Sequence, residues 1–326
     1  MPSTVTHSYF IMDVYDKLPI NRKIFLKNEK EKLKVFAQSL DPLNFYTSFN
    51  LKKGKSVRNF AYHFHTKKTS EYIITLINYI KYNYYSDNPE VMAFLYGMIS
   101  HYVLDSTIHP YIYYKTGKFD KKNKSSYKYN SKHHELETII DKHMIVIREN
   151  KAPRKYKHYK YCFNLKEYDN NLKEIINFTF KETYNIKKID DILLKSIKNM
   201  KLVFKVFRYD PYKYKEIVYK FIDFVLPNSI PKISFLSYNY KTNKYKNYLN
   251  STHNNWNYPT QKRKKYNYSF IDLYIISLHK TLNIIKEIDA YIYKDKKINL
   301  NKILGNLSYS TGVDLSKNQT LKYFEF

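Results

Sequence analysis

Two histidine–carboxylate pairs share one spacing. His101 precedes Asp105 by four residues, and His133 precedes Glu137 by four. On an α-helix, positions four apart lie about 6 Å apart along the axis and about 40° apart around it, so both side chains of a pair can reach one ion. His109 follows one turn later, directly before Pro110. Imidazole plus carboxylate, with no thiolate, is the donor set of hydrolytic zinc sites that keep an open coordination position; structural zinc more often uses cysteine. A single such pair equally fits a solvated ion pair on a helix surface. Two pairs in succession, with a spaced third histidine, are a more specific pattern. His101 and Asp105 also stand within the apolar stretch from Phe94 to Ile108. A buried carboxylate there needs a partner, and a metal ion is one.

Helices must position these residues, and helical periods dominate the chain. Residues 4–16 carry Tyr9, Phe10, Met12 and Val14, and Pro19 ends the segment. Residues 28–40 read as a helix stopped at Asp41-Pro42, because a residue before proline leaves the α region. Thr69 or Ser70 can cap a helix bearing Ile73, Ile74, Ile77 and Ile80. Asp87 or Asn88 can start another at Pro89 that runs to about Asp105. A lysine- and serine-rich loop over 118–132 precedes a helix at about 133–148. Further helices are expected near 166–184, 189–207, 211–225 and 269–293, with a long irregular connection over 227–267. No internal repeat and no strand alternation is evident, so the expected class is all-α.

Composition narrows the function. The 326 residues are 43% hydrophobic, enough for a core, which excludes disorder along the whole length. Five glycines argue against a turn-rich β fold and Gly-rich phosphate loops, and one cysteine, Cys162, excludes a disulfide framework and Cys-based zinc fingers. Lys and Arg number 57 against 29 Asp and Glu, a net charge of +28 that favours anionic partners such as nucleic acid, phospholipid head groups or phosphate esters. The basic residues are scattered, so a generally lysine-coated surface fits as well. No apolar run reaches the roughly 18 residues of a membrane helix. The start, Met1 to His7, has neither a basic nor an apolar signal region, which leads us to expect a cytoplasmic protein.

The order His101-x3-Asp105, His109, then His133-x3-Glu137 resembles the bacterial zinc-dependent phospholipase C family, which shares its all-helical fold with the single-strand-specific zinc nucleases. Upstream, Asn59-Phe60-Ala61-Tyr62-His63-Phe64 resembles the family's Phe-Ala-x-His-Phe block. Asp41-Pro42 falls where its early aspartate ligand falls, and Thr6-His7 resembles its first histidine ligand. Ordered motifs cover about residues 1–145; Asn250 to Pro259 and Ser308-Tyr-Ser-Thr-Gly312 look like cytoplasmic members from Firmicutes. The resemblance implies a multi-helix phospholipase C/nuclease-like bundle with additional C-terminal helices: a catalytic core over 1–150 and a helical extension over 151–326 packed on it.

It also implies two or three zinc ions. Asp41, His63, His101 and Asp105 would hold the first; His109, His133 and Glu137 the second; His7 and Asp105 a third, with Asp105 bridging. In secreted members a processed N-terminal Trp completes the third site. Here removal of Met1 would expose Pro2, five residues before His7, a spacing similar to the nuclease branch. Asp41 would act as general base or orient the attacking water. The implied chemistry is metal-bound hydroxide attacking a phosphodiester, releasing a phosphomonoester and an alcohol. The substrate would be a phospholipid head group or, in the alternative, a nucleic acid or nucleotide; a non-catalytic zinc-stabilised protein is the third reading.

Other residues have plainer roles. His65 could replace His63 as ligand or stand behind it. His134 points about 100° away from His133. Asp141 continues the His133–Glu137 face and can orient a ligand. His143, His158, His253 and His279 read as non-ligands, Asp13 and Asp272 as capping or ion-pair residues, and Cys162 as a packed thiol. The tyrosines around 235–249 read as a loop packing on the core.

Overall fold

The computed structural model describes residues 4–47, 54–120, 122–129, 131–227, 232–237 and 247–325. Among them the fold is all-α. Its helices are α1 (Thr4–Lys17), α2 (Ile20–Phe25), α3 (Lys30–Phe36), α4 (Lys55–Phe64), α5 (Thr69–Tyr82), α6 (Pro89–Thr116) and α7 (Lys132–Glu149). They continue with α8 (His158–Cys162), α9 (Asn170–Tyr184), α10 (Ile189–Val206), α11 (Tyr214–Val225), α12 (Phe270–Lys294) and α13 (Leu300–Leu304). One two-stranded hairpin, β1 (Trp256–Asn257) and β2 (Lys265–Tyr266), breaks the connection expected to be irregular. No described helix is long and apolar enough to cross a membrane.

α6 is the axis of the molecule. It is apolar on every side and buried along most of its length, as a helix surrounded by others must be. α1, α3, α5, α7 and α12 pack around it. Asn88 caps it, accepting from the backbone N–H groups of Glu90 and Val91 while Pro89 takes the first helical position. It was expected to stop near Asp105 but continues through Pro110 to Thr116. Proline forfeits one helical hydrogen bond and crowds the carbonyl four residues back, that of Ser106; packing on all sides outweighs that loss. His101, Asp105 and His109 therefore share one helix and nearly one face.

Two other local expectations change. The helix over 28–40 ends at Phe36, and the chain turns through 37–40 into a short 3-10 segment, Asp41–Phe45. Thr69 does not cap α5: its hydroxyl donates to the carbonyl of Leu307, 2.8 Å away, and Lys68 occupies the cap in a left-handed conformation. A single hydrophobic core joins residues from both sides of position 150, among them Tyr102, Phe163, Ile285 and Tyr309.

Close approach of α3 to α6 depends on Gly97. A Cβ there would lie 2.6 Å from the Phe36 carbonyl carbon. His101 stands one turn further along the same face, and the same approach brings the carbonyl of Ala37 within 2.9 Å of its Nδ1.

Several residues read as structural take such roles. Asp13 pairs with both terminal nitrogens of Arg148 at 2.6 and 2.7 Å, and Asp272 completes a capping box with Ser269. Cys162 is buried, and burial pushes its thiol up to about 12. Tyr248 of the 235–249 tyrosines accepts from the Tyr111 hydroxyl through its carbonyl; Tyr238, Tyr240 and Tyr245 lie outside the described residues.

His158 is buried against Tyr159 and Phe204, and burial drives its pKa down to about 3. The folded chain keeps it neutral, whereas the unfolded chain takes up a proton below about pH 6.5. Its contribution to stability is thus complete above about pH 6.5 and is lost as the pH falls toward 3, at about 1.4 kcal/mol per pH unit. Between pH 7 and pH 5 the unfolding free energy of wild type should drop by about 2 kcal/mol more than that of His158→Phe. Paired urea titrations at the two pH values measure the difference, and equal drops would refute the assignment.

Candidate metal centre

The candidate site is assembled from α1, the Asp41 turn, the end of α4, α6 and the first two turns of α7. Asp105 lies at its middle. His7 Nε2 is 3.1 Å from one of its oxygens, and His101 Nε2 is 3.2 Å from the other. His109 Nδ1 lies 3.6 Å from that second oxygen. His109 Nε2 faces Glu137 Oε1 at 3.3 Å, and His133 Nε2 meets the same oxygen at 3.0 Å. On the opposite side His65 Nε2 approaches Asp41 Oδ1 at 3.1 Å. The rings of His7 and His101 stack 4.3 Å apart. Residues from His7 to Glu137 thus form one continuous cluster.

Within it, three groups place ligand atoms within 4.8 Å of one another: His7, His101 and Asp105; Asp41, His65 and His101; and His109, His133 and Glu137. The structure brings together His7, Asp41, His101, Asp105, His109, His133 and Glu137 of the expected residues. It does not bring His63 to them. α4 ends at Phe64, so His63 is exposed and belongs to none of the three groups, while His65 at the helix end turns inward. His134 reaches only to 3.8 Å from Glu137 and is also outside them. Pro2 lies outside the described residues.

Backbone carbonyls fix three of the imidazoles. Nδ1 of His65 meets the carbonyl of Ala61 at 2.7 Å, that of His101 meets Ala37 at 2.9 Å, and that of His109 meets Tyr309 at 2.9 Å. A carbonyl only accepts, so each ring holds a proton on Nδ1 and presents Nε2 to the cluster. Buried His101 Nε2 makes no hydrogen bond despite lying 3.2 Å from a carboxylate oxygen, and Asp41 Oδ1 is likewise without one. Buried polar atoms left without hydrogen bonds among close donors suit a cation between them.

Charge follows from the packing. Burial alone would push Asp105 up, but His109, His101 and His7 outweigh it and hold the carboxyl well below its usual range. Glu137 is held down in the same way against its own burial, by His133 among others, and Asp41 by His101 and His65. Burial lowers His101 too, yet Asp105 and Asp41 raise it to about 9. Burial prevails at His133, which falls to about 4, and at His7. Asp105 and Glu137 also raise His109 against its burial, so the cluster gathers ionised carboxylates among imidazoles, nitrogen and oxygen donors that suit zinc.

A sequence model of the family described as zinc dependent phospholipase C matches residues 6–188. The chain belongs to this family. The match takes in every residue of the cluster and runs past position 150 through α9. No curated protein and no solved structure matches the chain.

Zinc-dependent phospholipase C membership covers α1 to α9, but the centre of this member is closed from outside that span. The loop after α13 returns to it. Tyr309 is fully buried, with its ring 5.0 Å from His65 and 5.7 Å from His101, its carbonyl on His109 and its N–H donating to the carbonyl of His65 at 3.2 Å. Gly312 takes φ +62° against the Ser106 carbonyl, with room only for a glycine. Asp141 also proves different in kind from the expected ligand-orienting residue. Its carboxylate accepts from Val5 N, Thr6 N and Thr6 Oγ1 at 3.1, 2.9 and 2.7 Å, which anchors the first turn of α1, the helix that carries His7.

Proposed function

We propose that the chain is a zinc-dependent phosphodiester hydrolase of phospholipase C type. The continuous cluster around Asp105 carries this reading, together with family membership. Asp41, His65 and His101 would hold one zinc ion and His109, His133 and Glu137 another, with Asp105 between them. His101 has only Nε2 to offer a metal, since its Nδ1 is engaged by Ala37, so it serves one ion only. A third ion would then rest on His7 and Asp105 plus donors beyond the described side chains. Bound zinc supplies a water of pKa near 7 and offsets charge on the phosphodiester.

The chain's own residues do the rest. Asp41, kept ionised by His101 and His65 against its burial, orients the attacking water and accepts its proton at a carboxylate oxygen. His65, His101 and His109 keep their protons on Nδ1 and so cannot rotate out of place. Tyr309 excludes water from the rear of the cluster. A phospholipid yields diacylglycerol and a phosphomonoester. The net charge of +28 favours a second reading, a nuclease or nucleotide phosphodiesterase acting in the cytoplasm.

Protein purified without chelator should contain zinc and hydrolyse a choline phosphodiester; chelation should abolish turnover and zinc should restore it. Turnover of single-stranded DNA alone would favour the second reading. Stoichiometric zinc without turnover of any phosphodiester would overturn hydrolysis and leave a zinc-stabilised protein.

A further inference from the structure

α11 presents its apolar side to solvent. Tyr214, Ile217, Val218, Phe221, Phe224 and Val225 recur at helical spacing and form one stripe spanning about 120° of the helix. Phe221 is 66% exposed and Phe224 86%. The inner side is where a surface helix would normally be apolar, yet it holds Asp223, which accepts from the backbone N–H groups of Ile233 and Ser234 at 2.6 and 3.1 Å. Only Tyr219 is buried: its ring lies 4.5 Å from that of Phe207, and its hydroxyl donates to the carbonyl of Val206. Exposed aromatic and aliphatic residues in such a contiguous stripe mark a surface that meets something other than water.

Lysines border the stripe. Lys213 precedes the first turn as the cap of α11, and by helical geometry Lys215 lies toward one edge and Lys220 toward the other, Lys215 donating to the Val206 carbonyl at 3.0 Å and exposed Lys220 pairing with Glu216 at 2.8 Å. On α10, Leu202 and Val206 are also exposed, and a groove there is lined by Lys198, Lys201 and Lys205. An outward apolar stripe with cationic margins is the pattern of a helix lying in a lipid interface: rings enter the acyl boundary while ammonium groups stay at the phosphates. A second copy of this chain suits the stripe poorly, because its lysine margins would face their equivalents.

We propose that α11 seats this protein on an anionic phospholipid bilayer. The helix lies beyond residues 6–188, which the family model matches. A cleft lined by Asp223, Leu226, Lys132 and Glu135 connects its inner side to the first turn of α7, where His133 stands. The inference goes beyond the hydrolase reading and holds even without turnover, because binding is measured separately.

The full-length, metal-loaded protein should sediment with vesicles of phosphatidylglycerol and phosphatidylcholine, and bind pure phosphatidylcholine vesicles more weakly. Raising the salt should weaken binding to the mixed vesicles. Phe221→Ser combined with Phe224→Ser should weaken binding at least about tenfold, since both rings leave the interface. Lys205→Glu with Lys213→Glu should weaken binding to the anionic vesicles alone. Circular dichroism and turnover of a soluble short-chain phosphodiester should stay at wild-type values in both variants. No binding by wild type, equal binding by the phenylalanine variant, or a wild-type dimer that the variant dissolves would overturn the proposal.

Discussion

Asp105→Ala is expected to remove zinc and hydrolysis together. Asp105 is flanked by three imidazoles from two helices, with His7, His101 and His109 at 3.1, 3.2 and 3.6 Å. Loss of a residue that only supports a metal ligand costs about 10–100-fold in metal affinity or activity. A carboxylate that would itself ligate, at the middle of the cluster, should cost more, on the order of 10³-fold. Removal also leaves His101 without the principal partner that raises its pKa to about 9, so the electrostatic balance of the whole cluster shifts. His101→Ala should have the same outcome. Zinc content by elemental analysis and turnover on one preparation decide the matter. Wild-type zinc in both variants would show that the ligand assignment is wrong.

The second large effect is expected at Gly97, which touches no ligand atom. Helix propensity favours Gly97→Ala by about 1 kcal/mol. Packing opposes it: the added Cβ would stand 2.6 Å from the Phe36 carbonyl carbon and as close to its Cβ, and no side-chain rotation relieves a clash with backbone. Overpacking of a filled core costs about 1–3 kcal/mol, so a net loss of up to about 2 kcal/mol is expected once propensity is subtracted. The clash is relieved by moving the end of α3 away from α6. That movement carries the Ala37 carbonyl off His101 Nδ1 and frees the ring to change tautomer. Zinc affinity should therefore fall by about 10–100-fold, as it does when a ligand loses its supporting hydrogen bond. Denaturant titration and competition with a chromophoric chelator test the two halves. A stabilised variant with wild-type zinc affinity would refute the coupling.

What the sequence disclosed followed the range of the physics. The two His-x3-carboxylate pairs were legible because both members sit on one helix, where spacing fixes direction. The main helices were legible for the same reason. The choice between His63 and His65 was not, because it depends on where α4 ends and on the Ala61 carbonyl that catches the second ring. The passage of α6 through Pro110 is a tertiary outcome, with packing overriding a local breaker. Asp141 lay on the expected face, but its partners on α1 are 135 and 136 residues away in sequence. The carbonyls of Ala37 and Tyr309 belong to residue types that advertise no chemistry. Gly312, within the motif noted from Ser308, was the one local sign that its segment must fit tightly.

The return of Tyr309 to the cluster governs when the centre can exist during synthesis. His109 obtains its orienting carbonyl from a residue 200 positions later, and the rear wall of the pocket comes from the same loop. A nascent chain halted between Glu137 and Tyr309 holds the donor atoms yet lacks the strut that aims His109 and the ring that shuts out solvent. Folding on the ribosome must then finish the helices first and the metal pocket last, so an interrupted translation product would be released without a fully formed hydrolytic centre.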